Sequence, residues 1–147
     1  MKNVILIFLF SLFAFKSMAG ELPKSIDGKA FIFQVVGQYD PDSNPNANSI
    51  YQMTFSSKTY RYFDLKKHTK EHGQYTYLRK KINDVFVGVI SLKETDSGKP
   101  TFYHMVLVGT DHSGFYTYVQ EYGAIKPDVR MNVARYYILP EKDQPYK

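Results

Sequence analysis

Six tyrosines of this chain stand in Tyr-x-Tyr pairs, Tyr60/Tyr62, Tyr75/Tyr77 and Tyr116/Tyr118. Residues two apart on a β-strand share a face and lie about 7 Å from each other, so each pair sets two rings and two hydroxyls side by side. Turned inward, such rows grip an apolar or aromatic ligand and offer it a few hydrogen bonds. Turned outward, they are cross-strand pairs that stiffen a sheet, and for any single pair this plainer role is the expected one. Arg79 continues the parity of Tyr75 and Tyr77, and on an inward row it would anchor a carboxylate or phosphate. Beside Lys80 and Lys81 it is expected on a solvated strand end instead.

Two further residues could move protons. His104 interrupts the apolar run Phe102 to Leu107 and shares parity with Phe102, Val106 and Val108, so in a lumen it would be a general base or polar hook. A satisfied or half-exposed strand histidine is the plainer expectation. Glu94, at a strand end facing a barrel mouth, would accept a hydrogen bond from a ligand or act with His104 in acid/base work. Within the polar stretch Lys93 to Pro100 it reads first as the start of a hairpin loop.

Other patterns point away from chemistry. His68 and His72 are four apart but sit among Lys66, Lys67 and Lys70, which repel a cation, and the His-Glu-x-x-His order is missing. Asp40-Pro41-Asp42-Ser43-Asn44 opens like a calcium loop, yet Pro45 stands where a sharp turn wants glycine and Tyr51 where a bidentate glutamate belongs. No metal site is expected, nor any cofactor. Gly-x-Ser-x-Gly, a phosphate-cradling loop and a cysteine nucleophile are all missing, which leaves nucleophilic hydrolysis without support. Lys66, Lys67 and Lys70 could touch an anionic envelope surface, although such a run is usually a solvated loop.

The chain has 147 residues, 13 tyrosines, no tryptophan and no cysteine. Met1-Lys2, the apolar run Val4 to Phe15, and Lys16-Ser17-Met18-Ala19 have the layout of a secretory signal peptide with a cut after Ala19. Residues 1–19 are therefore expected to be removed and the protein to be exported, periplasmic or secreted. Without them 17 basic and 14 acidic side chains remain, so the formal charge falls from +5 to +3 while every tyrosine stays. A mild charge in an exported protein gives no reason to expect nucleic acid. No later segment is long and apolar enough for a transmembrane helix. The missing cysteines exclude a disulfide framework and a zinc-thiolate centre.

The elements that must position these residues are short β-branched and aromatic runs: Ala30 to Val36, Ile50 to Phe55, Thr59 to Leu65, Gln74 to Lys80, Val85 to Leu92, Thr101 to Val108, Phe115 to Tyr122 and Val133 to Leu139. Turn chemistry such as Ile82-Asn83-Asp84 and Asp111-His112-Ser113-Gly114 separates them. Eight successive antiparallel strands with short connections predict an all-β, up-and-down, calycin- or lipocalin-like barrel over residues 20–140, because closure leaves no unpaired edge. A two-sheet sandwich is the alternative. Gly20 to Gly28 is expected as an extended lead-in or one helical turn, Ala124 to Met131 as a short helical turn, and residues 141–147 as a polar, frayed tail.

Gly73 to Val119 resembles the MoaF-like proteins, a calycin-type group of small barrels. The resemblance rests on Tyr75-Thr76-Tyr77, Ile82 to Val87, Glu94, and the returning strand around His104 followed by Gly114-Phe115-Tyr116. Where that group has Trp-x-Glu this chain reads Leu92-Lys93-Glu94, so only the acid carries over. The resemblance implies a barrel and assigns no reaction.

Three functional expectations follow. The first is an exported barrel binding a small, partly apolar ligand in a tyrosine-lined cavity. The second is a lyase or isomerase working by proton transfer on a small aromatic or unsaturated acid, with Arg79 as anchor and His104 or Glu94 as base. The third is a cell-envelope interaction module using outer tyrosines and the Lys66 to Lys70 loop.

Overall fold

A computed structural model describes residues 21–40, 44–96, 99–122 and 130–143; the expected signal peptide lies outside them. Eight strands follow one another: β1 (Ala30–Val35), β2 (Ile50–Ser56), β3 (Thr59–Asp64), β4 (Lys70–Ile82), β5 (Val85–Asp96), β6 (Lys99–Gly109), β7 (Ser113–Tyr122) and β8 (Arg130–Ile138). Each pairs antiparallel with the next, and β1 also pairs with β8, which closes the barrel. Closure excludes the sandwich. The β4–β5 connection is a two-residue hairpin in which Asn83 and Asp84 both have positive φ, the backbone that matches strand twist in a tight turn.

The inner face is decided by the most apolar strand. Phe31, Phe33 and Val35 are buried, and cross-strand register carries that choice around the barrel: Phe31 lies opposite Met53, Met53 opposite Tyr62, Tyr62 opposite Glu71. Likewise Tyr77 meets Ile90, Ile90 meets Met105, and Met105 meets Tyr118. A slip of one residue in any pair would turn a whole strand inside out. All three Tyr-x-Tyr pairs consequently face inward, correcting the expectation that a given pair lies outside. Tyr60, Tyr75 and Tyr116 are buried, while Tyr62, Tyr77 and Tyr118 are partly buried against the core.

One end of the lumen is packed solid. The lead-in before β1 is irregular, with a turn at Asp27-Gly28 and no helix among its described residues, and Leu22 and Ile26 are buried in the core. Tyr77 donates to the Pro23 carbonyl at 2.8 Å. Phe31, Phe55 and Tyr75 continue the packing, Phe55 meeting both other rings edge-on. This is the ordinary interior of an eight-stranded barrel, which side chains can fill.

β4 starts at Lys70 and not Gln74, β5 runs to Asp96 and β6 starts at Lys99. Long hairpins therefore replace much of the expected loops. The extension of β4 has a steric consequence at Gly73, which lies opposite Tyr60. A Cβ there would sit 2.8 Å from the Tyr60 ring and 2.3 Å from the Lys93 carbonyl oxygen. Gly88 makes the same allowance for the Tyr77 ring at 2.9 Å, and Gly114 for Tyr136 at 2.7 Å. Glycine opposite an inward tyrosine, as at Gly73 and Gly114, or diagonal to one, as at Gly88, is thus the device by which this narrow lumen accommodates large rings.

Of the expected helical turn before β8, residues 124–129 lie outside the described residues and Met131 belongs to the strand. The tail begins with a short 3-10 turn, Glu141–Asp143.

Candidate functional site

Beyond the packed core, toward the β1–β2 loop that contributes Asn46, the lumen opens into a cavity of about 110 Å³. That is space for several waters or one small molecule. Tyr51, Tyr60, Tyr62, Tyr103, Tyr116 and Tyr118 supply its aromatic walls, and Phe33, Met53, Leu92 and Met105 its apolar floor. Glu94, Glu71 and Asn132 are the other polar groups lining it.

Glu94 is the centre of the polar part. It sits within β5, faces inward opposite Thr101, and is 6% exposed. It is therefore a lumen residue and not the beginning of a loop. Tyr60 donates to one carboxylate oxygen at 2.7 Å and Tyr103 donates to the other in a short hydrogen bond. Two phenol donors on one carboxylate are charge-assisted bonds, stronger than neutral ones.

Burial, followed by the Glu94 charge and its hydrogen bond, pushes the Tyr60 pKa far above the usual phenol value. Burial does the same for Tyr103, with Tyr118 and the Glu94 hydrogen bond adding to it. These hydroxyls stay protonated and act as donors. Tyr116 and Tyr136 are also raised, chiefly by burial. Unfolded phenols titrate near 10, so above that pH the unfolded chain loses protons that the folded chain retains. The stability these phenols contribute is complete below about pH 10 and falls as pH rises further. In an alkaline titration Tyr60, Tyr103, Tyr116 and Tyr136 are expected to ionise only as the strand circular dichroism collapses. Ionisation of every tyrosine with the strand signal unchanged would contradict the buried network.

Asn132 lies beside Tyr118 in the β7–β8 ladder. Its Oδ1 is buried without a hydrogen-bond partner, an arrangement that costs free energy unless something else supplies a donor.

The residues singled out from the sequence divide. Tyr60, Tyr62, Tyr116, Tyr118 and Glu94 line one cavity. Tyr75, Tyr77 and Arg79 face inward but belong to the packed end. Arg79 is neither on a solvated strand end nor at the cavity: its guanidinium stacks on Phe86 at 3.6 Å and pairs with Glu21, and its side chain is 11% exposed. It holds the lead-in.

His104 is on the outer face. Its Nδ1 lies 3.0 Å from Ser91 Oγ and its Nε2 3.3 Å from Glu121 Oε1, with the ring 40% exposed. A serine, histidine and acid in line resemble a nucleophilic relay, but here they cross three strands of a pleated outer surface whose ladders pair β5 with β6 and β6 with β7. Those ladders engage the strand amides that would otherwise form an oxyanion hole. His104 and Glu94 stand on opposite faces of the barrel wall, which removes the partnership expected between them.

Lys66 and Lys67 stay exposed on the β3–β4 turn, where their amides donate to buried Asp64 at 2.8 and 2.9 Å. Lys70 lies over the Phe63 ring. No group of metal-ligating side chains occurs among the described residues.

Sequence reasoning overlooked Tyr103, Tyr51, Glu71 and Asn132. Tyr103 carried a usable signal, since it shares parity with Met105 and Leu107. The other three become neighbours only through barrel closure.

Comparison with protein-family models, with curated proteins and with solved structures finds no match.

Proposed function

We propose that the chain is an exported binding protein for one small, partly apolar ligand, held in the tyrosine-lined cavity, and that it is a calycin-like barrel related to the MoaF-like group. The observation that carries this reading is a cavity whose wall combines aromatic faces with a buried, doubly hydrogen-bonded carboxylate and an unpartnered buried acceptor, Asn132 Oδ1. Ligand sites combine mostly apolar walls with a few placed polar groups in this manner. Unsatisfied Asn132 favours a ligand that carries a hydrogen-bond donor. The packed end and the Arg79–Glu21 pair argue against an anion anchored at Arg79.

The export part rests on the sequence of residues 1–19, and its check is the N-terminus of protein recovered from cells, expected at or next to Gly20.

Native mass spectrometry of protein purified from its own cells tests the binding part. A retained small molecule is expected, displaced on denaturation and lost from Tyr62→Ala, a partly buried wall position, in protein whose strand circular dichroism shows that it still folds. Apo mass alone, together with tyrosine fluorescence indifferent to a panel of small aromatic alcohols, amines and acids, would refute the cavity reading.

Proton-transfer catalysis is a second reading, favoured by the Glu94–Tyr103 hydrogen bond, in which carboxylate and phenol would serve as base and acid. It calls for the retained molecule to take up solvent deuterium when held by the wild-type protein in heavy water; a molecule that stays unlabelled would sink this reading.

A further inference from the structure

The outer face of the barrel is strongly sided. On β2 and β3 the outward positions include Gln52, Thr54 and Arg61. On β5 to β8 they form apolar rows in cross-strand register. One row runs Val89, Val106, Thr117, Val133. The next, toward the β4–β5 hairpin, runs Val87, Val108, Phe115, Arg135. Val106 is 36% exposed, Val108 44%, Phe115 56% and Val133 49%.

Strands are spaced about 4.8 Å apart and same-face residues about 7 Å, so these two rows over four strands cover roughly 270 Å². An exposed, largely apolar patch of that order is often functional.

We propose that this face is covered by a second copy of the same chain, in a two-fold dimer whose axis runs along the Val89–Val133 row. Charge placement selects this occupant. Arg135, with its guanidinium over Phe115, flanks the central row on one side. Glu121, paired with His104, flanks it on the other, on the adjacent strand. Rotation about the central row exchanges the two flanks. Phe115 then packs on the second copy's Val119, and Arg135 approaches the second copy's Glu121. The same patch is thus complementary to itself, as an isologous interface requires.

The area is below the roughly 800 Å² per partner of a standard interface, and a barrel wall is convex. The dimer is therefore weak and exchanges quickly with monomer. An anionic membrane fits less well, because Glu121 lies on the face itself and the cation Arg135 is at one flank.

Sedimentation velocity of the mature chain from micromolar to near-millimolar concentration tests the proposal. The weight-average mass is expected to rise toward that of a dimer. Val106→Glu should hold it at the monomer value with unchanged strand circular dichroism and melting temperature, since position 106 is a partly exposed outer site. Arg135→Glu should weaken association about tenfold, and adding Glu121→Arg should restore it.

Monomer mass throughout, or a dimer indifferent to Val106→Glu, overturns the proposal. Failure of the charge swap overturns the placement of the axis. Wild-type protein that stays monomeric but floats with anionic vesicles, and ceases to do so in Val106→Glu, would assign the face to a membrane instead.

Discussion

Glu94→Ala is expected to destabilise the barrel by about 3 kcal/mol, because each buried donor left without its acceptor costs about 1–3 kcal/mol. Tyr60 and Tyr103 would both be stranded: their hydroxyls donate to the two oxygens of this carboxylate. Removing a buried charge offsets part of that loss, since holding a carboxylate away from water is itself costly. Which effect wins is decided by the donors that remain. Two phenols whose ionisation burial has suppressed cannot relieve the loss by giving up their protons.

A drop of roughly 10 °C in melting temperature is the expected reading for a domain of this size. Glu94→Gln keeps one carbonyl acceptor and should lose about half as much. Glu94→Leu combined with Tyr60→Phe and Tyr103→Phe removes the network as a unit and should melt near wild type, because donors and acceptor disappear together. All three variants should lose the retained ligand. A melting temperature for Glu94→Ala within experimental error of wild type would show that the hydrogen-bonded trio is not a structural unit.

The other large effect is expected at Gly73→Ala, at about 3 kcal/mol, the upper range for forcing one extra carbon into a packed site. The added Cβ would meet the Lys93 carbonyl oxygen at 2.3 Å and the Tyr60 ring at 2.8 Å. A side chain can turn away, but the carbonyl belongs to the neighbouring strand and cannot move without loosening the ladder between β4 and β5. Relaxation should therefore displace the Tyr60 ring and break its hydrogen bond to Glu94, so stability and ligand retention fall together. Retention of both would mean that the strands yield easily at this point, and that the tyrosine is held by something other than the space glycine leaves. Gly73→Ala in a Tyr60→Leu background separates the two collisions: the ring contact is relieved while the carbonyl contact persists, so part of the cost should remain.

Gly73 also shows why part of the site was illegible beforehand. In the sequence it ends a stretch of Lys, His, Thr and Glu that reads as a loop, because hydrophobic patterning cannot mark a strand whose residues face solvent on one side and make room on the other. Gly73 is in β4 all the same, since it pairs with Tyr60. Glu94 was misread for a related reason. A glutamate beside Lys93, Thr95 and Asp96 has the composition of a turn, and only the register opposite Thr101 buries it. At His104 the plainer expectation of a satisfied, half-exposed strand histidine holds; the lumen alternative arose because the barrel's outside is apolar there too, so alternation carries little information about which face is inner.

The sequence by itself determined the number and order of strands, a turn at Ile82-Asn83-Asp84, and which tyrosines share a face, because these depend on local propensity and on the period of two along a strand. It favoured a barrel as well, through eight short runs that would otherwise leave edges exposed, while the pairing of β1 with β8 is what excluded a sandwich. Tertiary structure alone decided that all three tyrosine pairs turn inward, that Tyr75, Tyr77 and Arg79 close one end with the lead-in, and that Tyr60, Tyr62, Tyr116 and Tyr118 surround Glu94 at the other. Parity assigns a residue to one of two faces. Which face is inside, and at what height along the lumen, follows only from strand register and tilt around a closed sheet, where Tyr60 near the start of β3 comes level with Gly73 in β4 and, one strand further on, with Glu94 near the end of β5.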